Sequence, residues 1–199
     1  MNLRKAIYNW LVARRDQWEF KLVTDYIEKN IDLPQSYVRR ARILLARKQY
    51  EQAMSDLEKA AGIGELDYVG LKLRANCCFH LQQFERAATD AHRILEVTPD
   101  DFDLIQVYGI SLCMQGHAED AMAYHSRMIA AASPASDSHR IARAFAAYSV
   151  GKFGDAMEDL TSVSNSSTLK PSDYVMLGDC HAKMGDDKTA KRYYQLAGS

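Results

Sequence analysis

The chain lacks any stretch approaching the roughly 18 consecutive apolar residues that a membrane-spanning helix needs. Its opening segment, MNLRKAIYNWLVARRDQ, interrupts its apolar run at Asn9 and again at Arg14 and Arg15, which excludes a span there and argues against a cleaved secretory signal. Proline is scarce, four in 199 residues, and glycine numbers ten, so the chain is neither low-complexity nor collagen-like. The four cysteines, Cys77, Cys78, Cys113 and Cys180, show no CxxC spacing and no paired framework. They fit reduced thiols in a cytoplasmic protein better than a disulfide scaffold. A net charge of one sign is also lacking, at −1 overall, while 47% of the residues are hydrophobic and 26% charged. That balance supplies a core and excludes a disordered chain.

The near-zero total conceals an asymmetry. Residues 1–50 carry eleven Lys/Arg against five Asp/Glu, and residues 51–199 carry fourteen against twenty-one. Such a field steers an acidic ligand to the N-terminal end or orients head-to-tail contacts between copies. Nucleic-acid binding would want a basic domain with interleaved aromatics, and most of this chain is acidic.

What is present is a repeat. The segments KQYEQAMSDLEKA, QQFERAATDAHRI, GHAEDAMAYHSRM, GKFGDAMEDLTSV and DDKTAKRYYQLA align on Ala53, Ala87, Ala121, Ala156 and Ala190, in steps of 34, 34, 35 and 34. Twelve residues before each stands Ala41, Ala75, Gly109, Ala144 or Gly178, a second column made only of the two smallest residues. Two such columns describe helix pairs that cross where a larger side chain would force the axes beyond the usual ~8–10 Å. In the first pair the spacing predicts helices at Ser36 to Arg47 and Glu51 to Ala61, joined through Lys48 to Tyr50. Apolar residues recur at three- and four-residue intervals and mark the core: Tyr37, Leu44, Leu57, Leu71, Cys78, Ile94, Ile105, Leu112 and Met128. Gly116, Gly151 and Gly185 punctuate the turns between paired helices, and Pro99, Pro134 and Pro171 the boundaries between pairs. No alternation of strand type competes. The fold class is all-α.

Residues 1–33 are less regular. Leu3, Ala6, Ile7 and Trp10 share one helical face; Asp16 with Glu19 reads as a capping box opening a second helix that carries Trp18, Leu22, Val23 and Tyr26. The expectation is a degenerate helix pair that caps the stack, because each repeat buries its face only against its neighbours. Right after the second helix of the last repeat the given sequence stops, at Gly198 and Ser199. The face around Met184, Tyr193 and Leu196 is then expected to be covered by a partner or another copy, or to be continued in a longer parent protein.

No constellation carries chemistry. His80, His92, His117, His125, His139 and His181 never form an HExxH pattern and none stands at ligand spacing from a cysteine, so no metal is expected. Cys77 and Cys78 point about 100° apart on a helix and read as small core residues. GKFGD lacks the ending of a phosphate-binding loop and GISLC is not a nucleophile elbow. The carboxylates of DDFD at residues 100–103 and GDD at 185–187 fall at helix starts, where they favour the macrodipole. Neither an active site nor a cofactor is expected.

The repeat resembles the tetratricopeptide repeat. The resemblance is densest in YVMLGDCHAKMGDDKTAKRYYQLA, where Tyr174, Leu177, Gly178, Ala190, Tyr194 and Ala197 fall on that family's positions. It implies a right-handed superhelical stack of antiparallel helix pairs, with five units at 34–67, 68–101, 102–135, 137–170 and 171–199 behind the helix pair of 1–33. His125 and Ala91 depart from the usual large apolar residue of the second helix, Glu65 from a frequent proline, and one residue is inserted near Ser136. The Ser-rich SVSNSSTLKPSD segment is expected to be a local irregularity.

The resemblance also places the second, fifth, ninth and twelfth residues of each unit on a concave wall. The residues expected to meet a partner on or beside it are Arg39, Arg42, Lys72, Asn76 and Phe79, then Gln106, Ile110, Phe145 and Tyr148. The wall reads as basic at its N-terminal end and apolar in its middle, which suits an extended or helical partner segment with an acidic part. The carboxylate clamp that some tetratricopeptide domains use on chaperone tails is not complete. Lys72 and Asn76 fit its first pair, but Val107, Ser138 and Ala142 replace its other three groups. The functional expectation is a non-enzymatic adaptor or chaperone for a protein or peptide, with a bacterial secretion system as one setting. The alternative is an assembly scaffold that self-associates or docks through its C-terminal repeat.

Overall fold

The computed structural model describes residues 3–29, 33–131, 136–163 and 169–198, with side chains from residue 14 onward. As the two columns of small residues predict, the described residues are all-α, eleven helices without a strand. They fall into two compact bodies, residues 1–82 and 83–199. The first holds α1 (Leu3–Glu28), α2 (Pro34–Ala46), α3 (Tyr50–Ile63) and α4 (Tyr68–His80). The second holds α5 (Phe84–Leu95), α6 (Phe102–Met114), α7 (Ala118–Ala130), α8 (Ser136–Ser149), α9 (Phe153–Thr161), α10 (Pro171–Lys183) and α11 (Asp187–Ala197). Within the first body α2 packs on α1, α3 and α4; within the second, α6, α8 and α10 lie side by side with α7, α9 and α11 as their partners.

The sequence marks the start of five helices. Asp67 caps α4 by accepting the Gly70 amide at 2.8 Å, Asp101 caps α6 through the Leu104 amide at 3.2 Å, and Asp186 caps α11 through the Thr189 amide at 3.1 Å. Pro34 and Pro171 open α2 and α10 at the position where a missing N–H costs nothing. The stops are equally regular. Lys48, Gln82, Gly116, Gly151 and Gly185 all have φ between 59° and 84°, and they recur in the same steps as the alanines. Around four of them the chain closes a 6→1 hydrogen bond, from the amides of Gln49, His117, Lys152 and Asp186 to the carbonyls of Leu44, Leu112, Ala147 and His181. These are Schellman turns, which satisfy orphan carbonyls while reversing the chain. Only glycine takes that conformation without strain, so Lys48 and Gln82 hold it at a cost of about 1–2 kcal/mol each.

Packing explains the small residues. Ala41, Ala53, Ala75, Ala87, Ala121, Ala144 and Ala156 are completely buried and Ala190 is 2% exposed. Sixteen residues beyond each member of the second column stands the facing residue of the partner helix, which beyond Ala75 is only Ala91. Ala41 and Ala144 are matched by Leu57 and Leu160, whereas Gly109 and Gly178 are matched by the larger rings of His125 and Tyr194. A Cβ built on Gly109 would lie 2.7 Å from Nε2 of His125, and one on Gly178 would run into the Tyr194 ring. Glycine stands where a ring occupies the space that elsewhere holds the alanine methyl. One position earlier in both helices, at the same spacing, Arg40 grips Asp56 through two 2.7 Å bonds. Arg143 likewise grips Asp159 with both ends of its guanidinium, its Nε at 2.8 Å. In the third pair that place is taken by Tyr108 and Tyr124, ring edge to ring face with centroids 4.9 Å apart.

Two expectations need correction. Residues 3–28 form one helix, not a pair: the segment contains no glycine or proline to stop it, and the Asp16/Glu19 pattern lies inside the helix. Glu19 is occupied by Arg42 instead of a backbone amide. Leu112 and Met128, expected in the core, are half-buried. The side chains of Leu3, Ala6, Ile7 and Trp10, Pro134, and residues 164–168 of the Ser-rich segment lie outside the described residues.

The crossing makes opposite predictions for two glycines. Gly109→Ala drives a methyl into His125, which is completely buried, and lowers stability by about 1–3 kcal/mol. Gly154→Ala, in α9 with nothing within 4 Å of the added methyl, raises it by about 0.5–1 kcal/mol through helix propensity. Urea denaturation of both variants reads the difference.

Candidate functional site

In the first body the three arginines of α2 have different fates. Arg40 is half-buried and held by Asp56, whose carboxylate raises its pKa. Arg42 reaches back to Glu19 of α1 at 2.9 Å with its side chain 57% exposed, so it partly serves to hold α1. Arg39 is exposed. On the neighbouring α4, Lys72, Asn76 and Phe79 are half-buried. The Asn76 amide donates to the Lys72 carbonyl at 2.8 Å, and the Phe79 ring meets His80 edge-on at 5.8 Å. Side chains of α2 and α4 thus place Arg39, Arg42, Lys72, Asn76 and Phe79 on two packed helices of one body.

The sequence-predicted residues of the second body lie on α6 and α8, which also pack together. Gln106 donates to the Ser138 carbonyl at 3.4 Å, and Ile110 is half-buried. Phe145 and Tyr148 rest against a core of Ile141, Ala144, Leu160, Met176 and Leu177. Tyr148 donates its hydroxyl to Asp179 at 3.2 Å, and Tyr194 of α11 donates to the other oxygen of the same carboxylate at 2.7 Å. Burial first and Asp179 second push the Tyr148 phenol up. Gln106 and Tyr148 therefore tie successive first helices together, and each still presents part of its surface. Val107, Ser138 and Ala142, at the remaining clamp positions, are buried.

Sequence reasoning missed a buried histidine pair. Nδ1 of His125 on α7 and Nδ1 of His139 on α8 are 3.0 Å apart, both rings are completely buried, and neither Nε2 has a partner. Burial lowers the pKa of His125 to about 3, with His139 and the Arg143 guanidinium adding to the effect. Burial also lowers that of His139, against the opposing pull of the Pro99 carbonyl and the Asp100 charge. His125 stood out in the sequence as a departure in its column; its partner, fourteen residues away, follows no repeat spacing. The same physics acts on two thiols: burial raises Cys77 to about 12 and Cys180 to about 11, which disfavours the reactive thiolate. Among the described residues no three His, Cys, Asp or Glu side chains converge as metal ligands.

Clefts open on the described surface of both bodies. One of about 810 Å³ lies between α1 and α2 and is lined by Arg14, Trp18, Phe20, Lys21, Ile43 and Arg47 among others. A second, about 500 Å³, opens beside Arg42 and Glu19. Another, about 580 Å³ in the second body, is walled by His92, Tyr108, Leu112 and His117 with Glu85, Glu96 and Asp120 around it.

The tetratricopeptide repeat family model matches residues 34–63 and 174–197. A curated relative, the DnaJ homolog subfamily C member 7 homolog of Schizosaccharomyces pombe, is 36% identical over 70 residues, which are 35% of this chain and 15% of that protein. A tetratricopeptide repeat protein from Parabacteroides merdae superposes with a TM-score of 0.71 at 18% identity, over 94% of this chain and 72% of its own. YrrB, described as having an unusual peptide-binding site, superposes with a TM-score of 0.59 at 16% identity, over 88% of this chain and 90% of its own. At these identities the likeness is one of fold.

The histidine pair sets a pH dependence. His125 has a folded pKa of about 3 against an ordinary value of 6.5, so the unfolded chain takes up a proton that the folded chain refuses. Stability from this site is complete above pH 6.5 and falls as the pH drops toward 3, at up to about 1.4 kcal/mol per pH unit. His125→Leu, which copies the Leu57 and Leu160 crossings, flattens that slope while lowering stability at neutral pH, because His139 loses its Nδ1 partner. Urea midpoints measured from about pH 7 to about pH 4 compare the two slopes.

Proposed function

Because the chain is a tetratricopeptide repeat protein, a fold that serves as a protein–protein interaction module, we propose that it is a non-enzymatic adaptor or chaperone that grips a partner segment on its first helices. The α2–α4 face of the first body takes the acidic part of that segment, and the α6–α8 face of the second takes apolar side chains. The observation that carries this reading is the placement of Arg39, exposed, with Lys72 and Asn76 on two packed helices in a body whose first fifty residues hold eleven Lys/Arg against five Asp/Glu. Arginine and lysine reward carboxylates with charge-assisted bonds. The peptide-binding site in the description of YrrB and the partial relative named as a DnaJ homolog support the same class of role. Free thiols, three of the four buried, support a cytoplasmic setting. A bacterial secretion system is one such setting.

A second reading, self-association or docking through the C-terminal repeat, is favoured by the apolar groups on α10, α11 and the turn between them. Val175, Met184 and Leu196 are 41%, 60% and 46% exposed.

Charge reversal separates the two. Arg39→Glu with Lys72→Glu is expected to abolish capture of the partner and to weaken an acidic probe peptide by about tenfold or more, leaving oligomeric state unchanged. Arg42 is left intact so that α1 keeps its ion pair. Leu196→Glu is expected to leave capture unchanged. Capture measured by pull-down, with sizing of both variants by light scattering, reads the outcome; loss of a higher oligomer in Leu196→Glu, with capture unaffected by the double reversal, would favour the assembly role.

A further inference from the structure

The α1–α2 cleft shares no residue with the α2–α4 face and has a composition of its own. Its walls bring together three cations, Arg14, Lys21 and Arg47, against a single carboxylate, Asp16. The Arg47 guanidinium lies over the Phe20 ring, 4.6 Å from its centroid. That contact fixes the cation at the wall while leaving its edge able to donate. At the rim stands Trp18, 65% exposed, the most costly kind of side chain to leave in water and the kind that most often anchors a protein contact. α1 spends its inward face on α2 through Val23, which is 5% exposed, and through the Glu19–Arg42 pair. Trp18 is on neither contact. The volume of about 810 Å³ is that of an ordinary ligand site.

We infer that the α1–α2 cleft is a second docking surface, which seats an acidic protein segment with an apolar side chain against Trp18 and carboxylates against Arg14, Lys21 and Arg47. The charge excess of the walls selects an acidic occupant, and the exposed indole beside it selects one with an apolar group next to its carboxylates. A purely anionic ligand would leave Trp18 in water. Cation and indole act together, so each is needed for tight binding.

Trp18 is its own reporter. The whole chain is titrated with a fluorescein-labelled peptide of Asp, Glu and Leu, and in parallel with its Lys-for-acid counterpart and with oligouridylate. Binding is read by anisotropy, and the indole by tryptophan emission with unlabelled peptides. The expected result is saturable binding of the acidic peptide that shifts the emission in wild type, with no shift in Trp18→Ala. Affinity falls about tenfold or more in Trp18→Ala and in Lys21→Glu. Trp18 and Lys21 are surface residues, and circular dichroism confirms that each variant is folded. The emission shift persists in the Arg39→Glu/Lys72→Glu variant, so failure of the α2–α4 reading leaves this one standing, and the converse. An emission that does not move at saturation, or an acidic-peptide affinity unchanged by Trp18→Ala and Lys21→Glu, overturns the inference. So does an equal response to the Lys peptide or to oligouridylate, the latter pointing to a nucleic-acid surface.

Discussion

Everything in this molecule hangs on the closeness of approach between paired helices. A crossing at 8–10 Å leaves room for one methyl group or none, and the residue sixteen positions further along decides which. Leucine at that place leaves room for alanine; a histidine or tyrosine ring takes the methyl's space and leaves only glycine, as Gly109 and Gly178 show. In these four crossings size is traded between the two positions; the fifth, Ala75 with Ala91, has a small residue at both. The arginine–aspartate grips one step earlier, Arg40 to Asp56 and Arg143 to Asp159, add direction to a contact that hydrophobic packing leaves free to slide. Each aspartate is almost wholly buried, at 3% and 5% exposed, and each is held by two guanidinium bonds. Such a pair specifies register more than it adds stability.

What was legible in the sequence was what recurs. The columns of Ala and Gly gave the helix pairs and the turn glycines gave the reversals. The left-handed conformation of Lys48 and Gln82 was hidden by residue type and visible only through their place in the same 34-residue step. What did not recur was read poorly. The Asp16/Glu19 pattern has the spacing of a capping box, but a cap forms only where the chain has a reason to stop, and residues 1–33 contain neither glycine nor proline. The helix runs through, and Glu19 is used by a distant arginine. The histidine pair escaped for a related reason: His139 is peculiar to one repeat, so no periodicity announces it.

The candidate site was legible in position more than in state. Arg39, Arg40 and Arg42 look alike in sequence, yet one is exposed, one is half-buried against Asp56 and one is shared with α1. Helix geometry separates them, because neighbours in sequence point about 100° apart. Tyr148 and Gln106 likewise stand on the first helices, but their polar atoms reach the next first helix along, at Asp179 and Ser138. A residue that stiffens the wall in this way presents its remaining surface in a fixed pose, which lowers the ordering cost of any contact made to it.

Two neutral imidazoles joined through Nδ1 have one hydrogen between them. Whichever of His125 and His139 donates carries a bare Nε2, and the acceptor must carry its own hydrogen on Nε2. Neither Nε2 has a hydrogen-bond partner, but the Pro99 carbonyl and the Asp100 charge act on His139, so the two arrangements are not equivalent. The buried pair therefore has two tautomer arrangements open to it, and exchange between them moves two protons, one across the Nδ1 contact and one from Nε2 to Nε2. A core fixed in its heavy atoms thus keeps a choice in the placing of its hydrogens.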